Sequence, residues 1–160
     1  MRGLIVPALL FLVGLAIWAA AYVAFDTAEA EKQVFHEINS LRQRFGIEAL
    51  KWDDRLYLAA KHHAGWVANR SYLSHYEDTD EFWNPMRRAR HYGYFGSAVA
   101  ENIYYTSYCL YPEQLARDAV DAWMHSLGHR RNMLNPKYLY AAVAVEKTLR
   151  GCYVVLVLGS

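Results

Sequence analysis

The segment CYVVLVL, residues 152–158, limits the possible folds more than any other part of the chain. A strand with one wet face alternates apolar and polar side chains. An uninterrupted apolar run therefore predicts a central strand covered on both faces. Tyr140 to Glu146 reads as its partner, and Lys147-Thr148-Leu149-Arg150-Gly151 between them predicts a hairpin with a loop of about five residues. Ala100 to Thr106, β-branched or aromatic, is a third short strand.

Helices come before these strands. Val34, Phe35, Ile38, Leu41 and Phe45 recur at helical spacing, and Gly46 is a natural stop. Asp53 is positioned to cap a second helix whose stripe is Leu56, Ala60, His63 and Val67. Asn84-Pro85 opens a short third helix ending at Gly93, and Pro112 opens a fourth with Leu115, Ala119, Val120 and Trp123 on one face. Helices followed by strands and a terminal hairpin predict an α+β sandwich with no internal repeat.

The N-terminus is of another kind. Leu4 to Phe25 is uncharged and almost wholly apolar. Its length suits a bilayer span, which needs about 20 residues, whereas a signal peptide's apolar region runs to roughly 7–15. Ala28-Glu29-Ala30 nonetheless offers a cleavage site. Two readings therefore stand, an uncleaved transmembrane anchor or a cleaved signal, with segment 1–27 preceding a domain at 28–160. Arg2 before the apolar segment favours a cytoplasmic N-terminus and a domain outside the membrane. Basic residues, Arg2 included, number 17 against 16 acidic ones, so no nucleic-acid partner is expected.

Cys109 and Cys152 are the only cysteines. In an oxidising compartment they suit one disulfide; two buried thiols are the other reading. Their spacing matches no zinc motif.

Three polar punctuations interrupt apolar surroundings: Ser74-His75, Ala100-Glu101-Asn102, and Gly128-His129 after the helix carrying Trp123. Together with Ile38-Asn39-Ser40-Leu41-Arg42, Leu50-Lys51-Trp52-Asp53, Asn84-Pro85 through Arg88 to Gly93-Tyr94, and Arg130 with Asn132-Met133-Leu134-Asn135, they follow an order that resembles the CAP superfamily in its compact prokaryotic form. That superfamily comprises the cysteine-rich secretory, antigen-five and pathogenesis-related proteins. The resemblance covers residues 32 to about 158. It implies a three-layer α-β-α sandwich with a mainly antiparallel sheet, and a cleft holding His75, Glu101 and His129. Two departures stand out: Ser126 occupies a position where many members carry a second Glu, and Ala100 replaces the usual Gly.

The chemistry leaves three readings open. His75, Glu101, Ser126, His129 and Tyr104 line a cleft that binds an envelope or extracellular glycan, peptide or lipid. Alternatively His75 and His129 hold a divalent ion such as zinc while Glu101 activates water, making a hydrolase in which all three residues are catalytic. In the third reading the polar residues only hold the fold together. Neither Ser74 nor Ser126 has the neighbours of an activated nucleophile.

The remaining polar residues read blandly. His63 is expected to be a hydrogen-bonded core residue, His62 to face solvent, His91 to lack a partner, and Tyr76 to Glu81 (YEDTDE) to form a solvated loop. Tyr92, Tyr94, Phe95, Tyr104, Tyr105, Tyr108 and Tyr111 cluster in sequence, about half of them expected to point inward and the rest to line a groove.

Overall fold

The computed structural model describes residues 25–160. The anchor and signal readings of the N-terminal segment lie outside these residues. Among the described residues no helix is long and apolar enough to cross a membrane.

The elements are α1 (Thr27–Arg44), β1 (Lys51–Trp52), α2 (Asp54–Arg70), α3 (Pro85–His91), β2 (Val99–Thr106), α4 (Pro112–His125), α5 (Leu127–Met133), β3 (Tyr140–Thr148) and β4 (Gly151–Gly159). The sheet order is β1-β3-β4-β2, with β4 antiparallel to both β3 and β2, and the two-residue β1 parallel to β3. Every residue of β4 is buried, as its unbroken apolar run requires. Val154, Leu156 and Leu158 join Ala141, Val143 and Val145 of β3 in a core roofed by α1 and α4. Val155 and Val157 join Ala142 and Ala144 against α2 and α3 on the other face. The result is helix, sheet, helix in three layers.

Local chemistry sets the helix ends. The Asp26 carboxylate accepts from the amides of Ala28 and Glu29 at 2.9 and 3.1 Å, and Asp53 and Asn84 cap α2 and α3 in the same way. After α1 the chain reverses through Gly46 at φ +69°, and the Ile47 amide donates back to the Arg42 carbonyl at 2.9 Å.

Three features differ from the sequence reading. The hairpin loop is shorter than expected: Thr148 pairs with Gly151, leaving only Leu149 and Arg150 at the tip. Backbone pairing does not depend on apolar side chains, so the ladder continues through Lys147 and Thr148. Gly151, at φ +142°, closes the turn where a β-carbon would collide with the Thr106 carbonyl. The chain after Trp123 is not a helix ending in a turn. It breaks at Ser126, which is extended, and restarts as α5, so His129 sits within a helix. The third is β1, too short to show periodicity.

Two cross-links tie the layers. Cys109 and Cys152 form a disulfide that joins the loop after β2 to the start of β4, their α-carbons 5.8 Å apart. Arg42 is wholly buried and donates to the carbonyls of Glu48, Met133, Asn135 and Tyr138 at 2.8, 2.8, 3.1 and 2.9 Å. One guanidinium thus satisfies backbone acceptors from the loops after α1 and after α5. Replacing Arg42 by Ala leaves those carbonyls dry and unpaired. Urea unfolding should show a loss of about 3 kcal/mol or more, with little change in slope.

Candidate functional site

Strand β2 is the sheet's outer strand opposite β1, so one of its edges has no strand neighbour. Alternation along it sends Glu101 towards α2 and α3 and Asn102 towards α5. His75 reaches Glu101 from the segment after α2: its Nδ1 lies 2.9 Å from Glu101 Oε1. His129 is secured from the other side, where Asn102 Nδ2 donates to its carbonyl at 3.0 Å. Asn132 Nδ2 in turn donates to Asn102 Oδ1 at 2.9 Å, fastening α5 to the strand. The two imidazoles therefore meet beside the outer edge of β2, where the Glu101 and Ile103 carbonyls accept from Asn132 Nδ2 at 3.4 Å and Trp123 Nε1 at 3.1 Å, with ring centroids 6.3 Å apart and planes at 61°.

Glu101 is the hub. Its side chain is wholly buried, and its second oxygen accepts from Arg88 Nη2 at 2.8 Å. Arg88, also wholly buried, extends to the Phe82 carbonyl at 2.8 Å and to Glu77 Oε1 at 3.4 Å, while its Nε has no partner. Glu77 faces His63 Nδ1 at 2.7 Å and His62 Nε2 at 3.0 Å. The other nitrogen of His63 lies 2.8 Å from the Ser74 carbonyl and 3.5 Å from Glu101. The Ser74 carbonyl can only accept, so it calls for a proton on Nε2 of His63, while Nδ1 faces the Glu77 carboxyl.

Burial pushes the Glu101 carboxyl upward. The His75 hydrogen bond and the charges of Arg88 and His63 outweigh it, holding the group below its ordinary value of 4.5. Glu77 is lowered likewise, burial being overcome by its bonds to His63 and His62 and by Arg88. His129 moves down from its ordinary value because of burial and then the nearby His75, which favours the neutral imidazole.

The structure thus brings His75, Glu101 and His129 together. Tyr104 turns to the face of β2 opposite Glu101, the side on which Asn102 holds α5, and packs on the core beneath α1 and α4. Alternation decides this, since Tyr104 lies an odd number of residues from Glu101. Ser126 forms the joint between α4 and α5, and its hydroxyl caps neither helix. The YEDTDE segment is not a wholly solvated loop, because Glu77 within it is buried. Nor does His62 point freely into solvent: it stacks on Phe82 at 4.1 Å and faces the Tyr92 hydroxyl at 3.2 Å. His91 has a partner in Glu81 at 2.8 Å. Sequence reasoning misses Glu77 and Arg88 as site residues. The one signal pointing to them is His63, a polar residue on an apolar stripe that needs partners.

The fit to a metal ion is poor as the side chains stand. Zinc–nitrogen bonds of about 2.0–2.1 Å with a tetrahedral angle place two imidazole centroids roughly 5 Å apart. The observed 6.3 Å approaches the span of a linear pair. Both Glu101 oxygens are engaged, and among the described residues no group of three or more His, Cys, Asp or Glu side chains is arranged to hold an ion.

The model of the CAP, or cysteine-rich secretory protein, family matches residues 35–158. The chain belongs to that family. The Bacillus subtilis protein YkwD is 28% identical over 113 residues, which are 71% of this chain and 41% of YkwD. This CAP chain therefore spans less than half of that curated relative. Among solved structures, an outer surface protein of Borrelia burgdorferi superposes with a TM-score of 0.74 at 23% identity, covering 84% of this chain and 95% of that one. An extracellular protein containing an SCP domain from Bacillus anthracis gives 0.70 at 22%, covering 81% and 40%. At these identities the likeness establishes the fold.

The lowered carboxyls carry a pH signature. A carboxylate whose folded pKa lies below its unfolded value adds stability that is complete above about 4.5 and lost as pH falls through the lower folded value. Acid unfolding should therefore steepen below pH 4.5. Glu77→Gln should flatten that acid limb and cost about 3 kcal/mol or more at neutral pH, measured by urea melts across the pH range.

Proposed function

We propose that this CAP domain lies outside the cytoplasmic membrane, held by its N-terminal apolar segment, and binds an envelope or extracellular ligand beside the outer edge of β2. One observation carries the choice of binding over hydrolysis: Glu101 has no free oxygen. Its carboxylate is buried and shared between His75 and Arg88. A general base must reach a water, and a dry carboxylate between two donors does not. Glu101 acts instead as a positioning residue. It takes up His75 Nδ1, which fixes the ring's orientation and leaves Nε2 as its free nitrogen.

The His75 and His129 rings then offer two hydrogen-bonding nitrogens a short distance apart beside the outer strand. His75 is partly exposed, and His129 is held towards the neutral form. Such a pair suits the hydroxyls of a glycan or the amides of a peptide, and equally the polar part of a lipid headgroup. The exterior location draws support from the segment Leu4 to Phe25, from the disulfide, and from relatives described as extracellular or outer-surface proteins.

The rival metal-hydrolase reading needs the histidines to close on an ion. Its one support is the pair of imidazoles itself. Calorimetric titration of the full chain with zinc should show no saturable heat at equimolar metal. Stoichiometric heat that disappears in the His75→Ala, His129→Ala double variant would restore the hydrolase. Soluble glycan and peptide fragments of the envelope, titrated in the same way, should bind the wild type and not the double variant, with melting temperatures of the two proteins close.

A further inference from the structure

Strand register shows which parts of the molecule share an end. Thr106 of β2 pairs with Cys152, and Lys147 and Thr148 of β3 pair with Cys152 and Gly151. The hairpin tip Leu149-Arg150 and the loop Ser107–Tyr111 are therefore neighbours. The Cys109–Cys152 disulfide staples them, and the Tyr105 hydroxyl donates to the Arg150 carbonyl at 2.8 Å. Four of the five most exposed large apolar side chains among the described residues sit here: Leu149, fully exposed, Tyr108 at 82%, Leu110 at 72% and Tyr111 at 67%.

The chain enters the domain at the same end. Phe25 closes the apolar run that starts at Leu4, and the Lys147 ammonium lies 4.7 Å from the centre of its ring. Lys147 and Arg150 flank Leu149 on the exposed turn. Acidic residues near this end include Asp26, whose carboxylate is taken up in capping α1, Glu113 in the first turn of α4, and Glu146, which pairs with Lys61 at 3.2 Å.

We infer that this end of the sandwich is a membrane-contact surface: Tyr108, Leu110, Tyr111 and Leu149 sit in the headgroup region of the bilayer that the N-terminal segment enters. The inference rests on the anchor reading above. Soluble proteins seldom expose so many large apolar side chains at one place without a partner. Tyrosines with an apolar ring and a polar tip suit the membrane–water boundary, and an aliphatic tip between two basic residues suits anionic headgroups. The occupant is a lipid surface because the chain itself brings one there. The disulfide ties the loop after β2 to the base of the hairpin, so the two are neighbours before contact.

The test uses the full chain reconstituted with vesicles of phosphatidylcholine and phosphatidylglycerol, with and without brominated acyl chains. Leu149→Trp and Tyr108→Trp place a reporter on the surface. Leu127→Trp places one at the start of α5, an exposed position beyond the end of α4 remote from the loop. Brominated lipid should quench the two surface reporters about twofold more than the α5 reporter, given insertion to roughly 5–10 Å. Protein that floats with the vesicles but shows equal quenching at all three positions overturns the contact surface and leaves the anchor standing. Protein that fails to float overturns the anchor, and this inference with it.

Discussion

The buried ion network between the sheet and the α2–α3 layer is the constraint on which the site depends. Two carboxylates, Glu77 and Glu101, are held out of water against Arg88 and His63. Removing buried charge from water is costly, so a network of this kind survives only when opposite charges face one another. Its members come from α2, the segment after it, α3 and β2. Matching them fixes how those four pieces sit relative to one another, and His75 is placed as a by-product. The same requirement explains why the segment between α2 and α3 takes one path without regular structure. Glu77 is its internal peg, and its amide donates to the Trp83 carbonyl at 3.0 Å.

The opposite side of β2 is held differently. There a neutral ladder of Asn102, Asn132 and the His129 carbonyl carries α5, and Trp123 Nε1 donates to the Ile103 carbonyl at 3.1 Å. One histidine thus rides on an ionic network and the other on amide hydrogen bonds. The ionic side responds to acid, whereas the amide side does not titrate. The distance between the two rings is set by β2, the only element that both sides share.

The layered architecture is legible in the sequence because burial on both faces leaves an unmistakable mark, the apolar run of β4. Asp26, Asp53 and Asn84 show how much a single capping side chain determines, although only the last two stand out in the sequence. The motifs that resemble the CAP family bring His75, Glu101 and His129 to notice. Their roles are not legible. Whether Glu101 faces water or Arg88 depends on residues 13 positions away, packed from another helix. Glu77 is hidden because an acidic run looks the same whether or not one member turns inward. Strand alternation separates Tyr104 from Glu101 and places it on the face that Asn102 shares. The short hairpin turn escapes notice because Lys147 and Thr148 carry no apolar signal of pairing.

Strand β2 also acts as a spacer. From Thr106, beside the stapled loops, to Glu101 the strand rises through five residues, about 17 Å at 3.3–3.4 Å each. On the membrane contact inferred above, with β2 upright and the loop end inserted by roughly 5–10 Å, the histidine pair would stand roughly 7–12 Å clear of the bilayer, about one Debye length at physiological salt. The charge of the lipid surface would be partly screened at that height. A lipid would have to leave the membrane to reach the cleft, whereas a polymer strand running parallel to the surface would pass beside it.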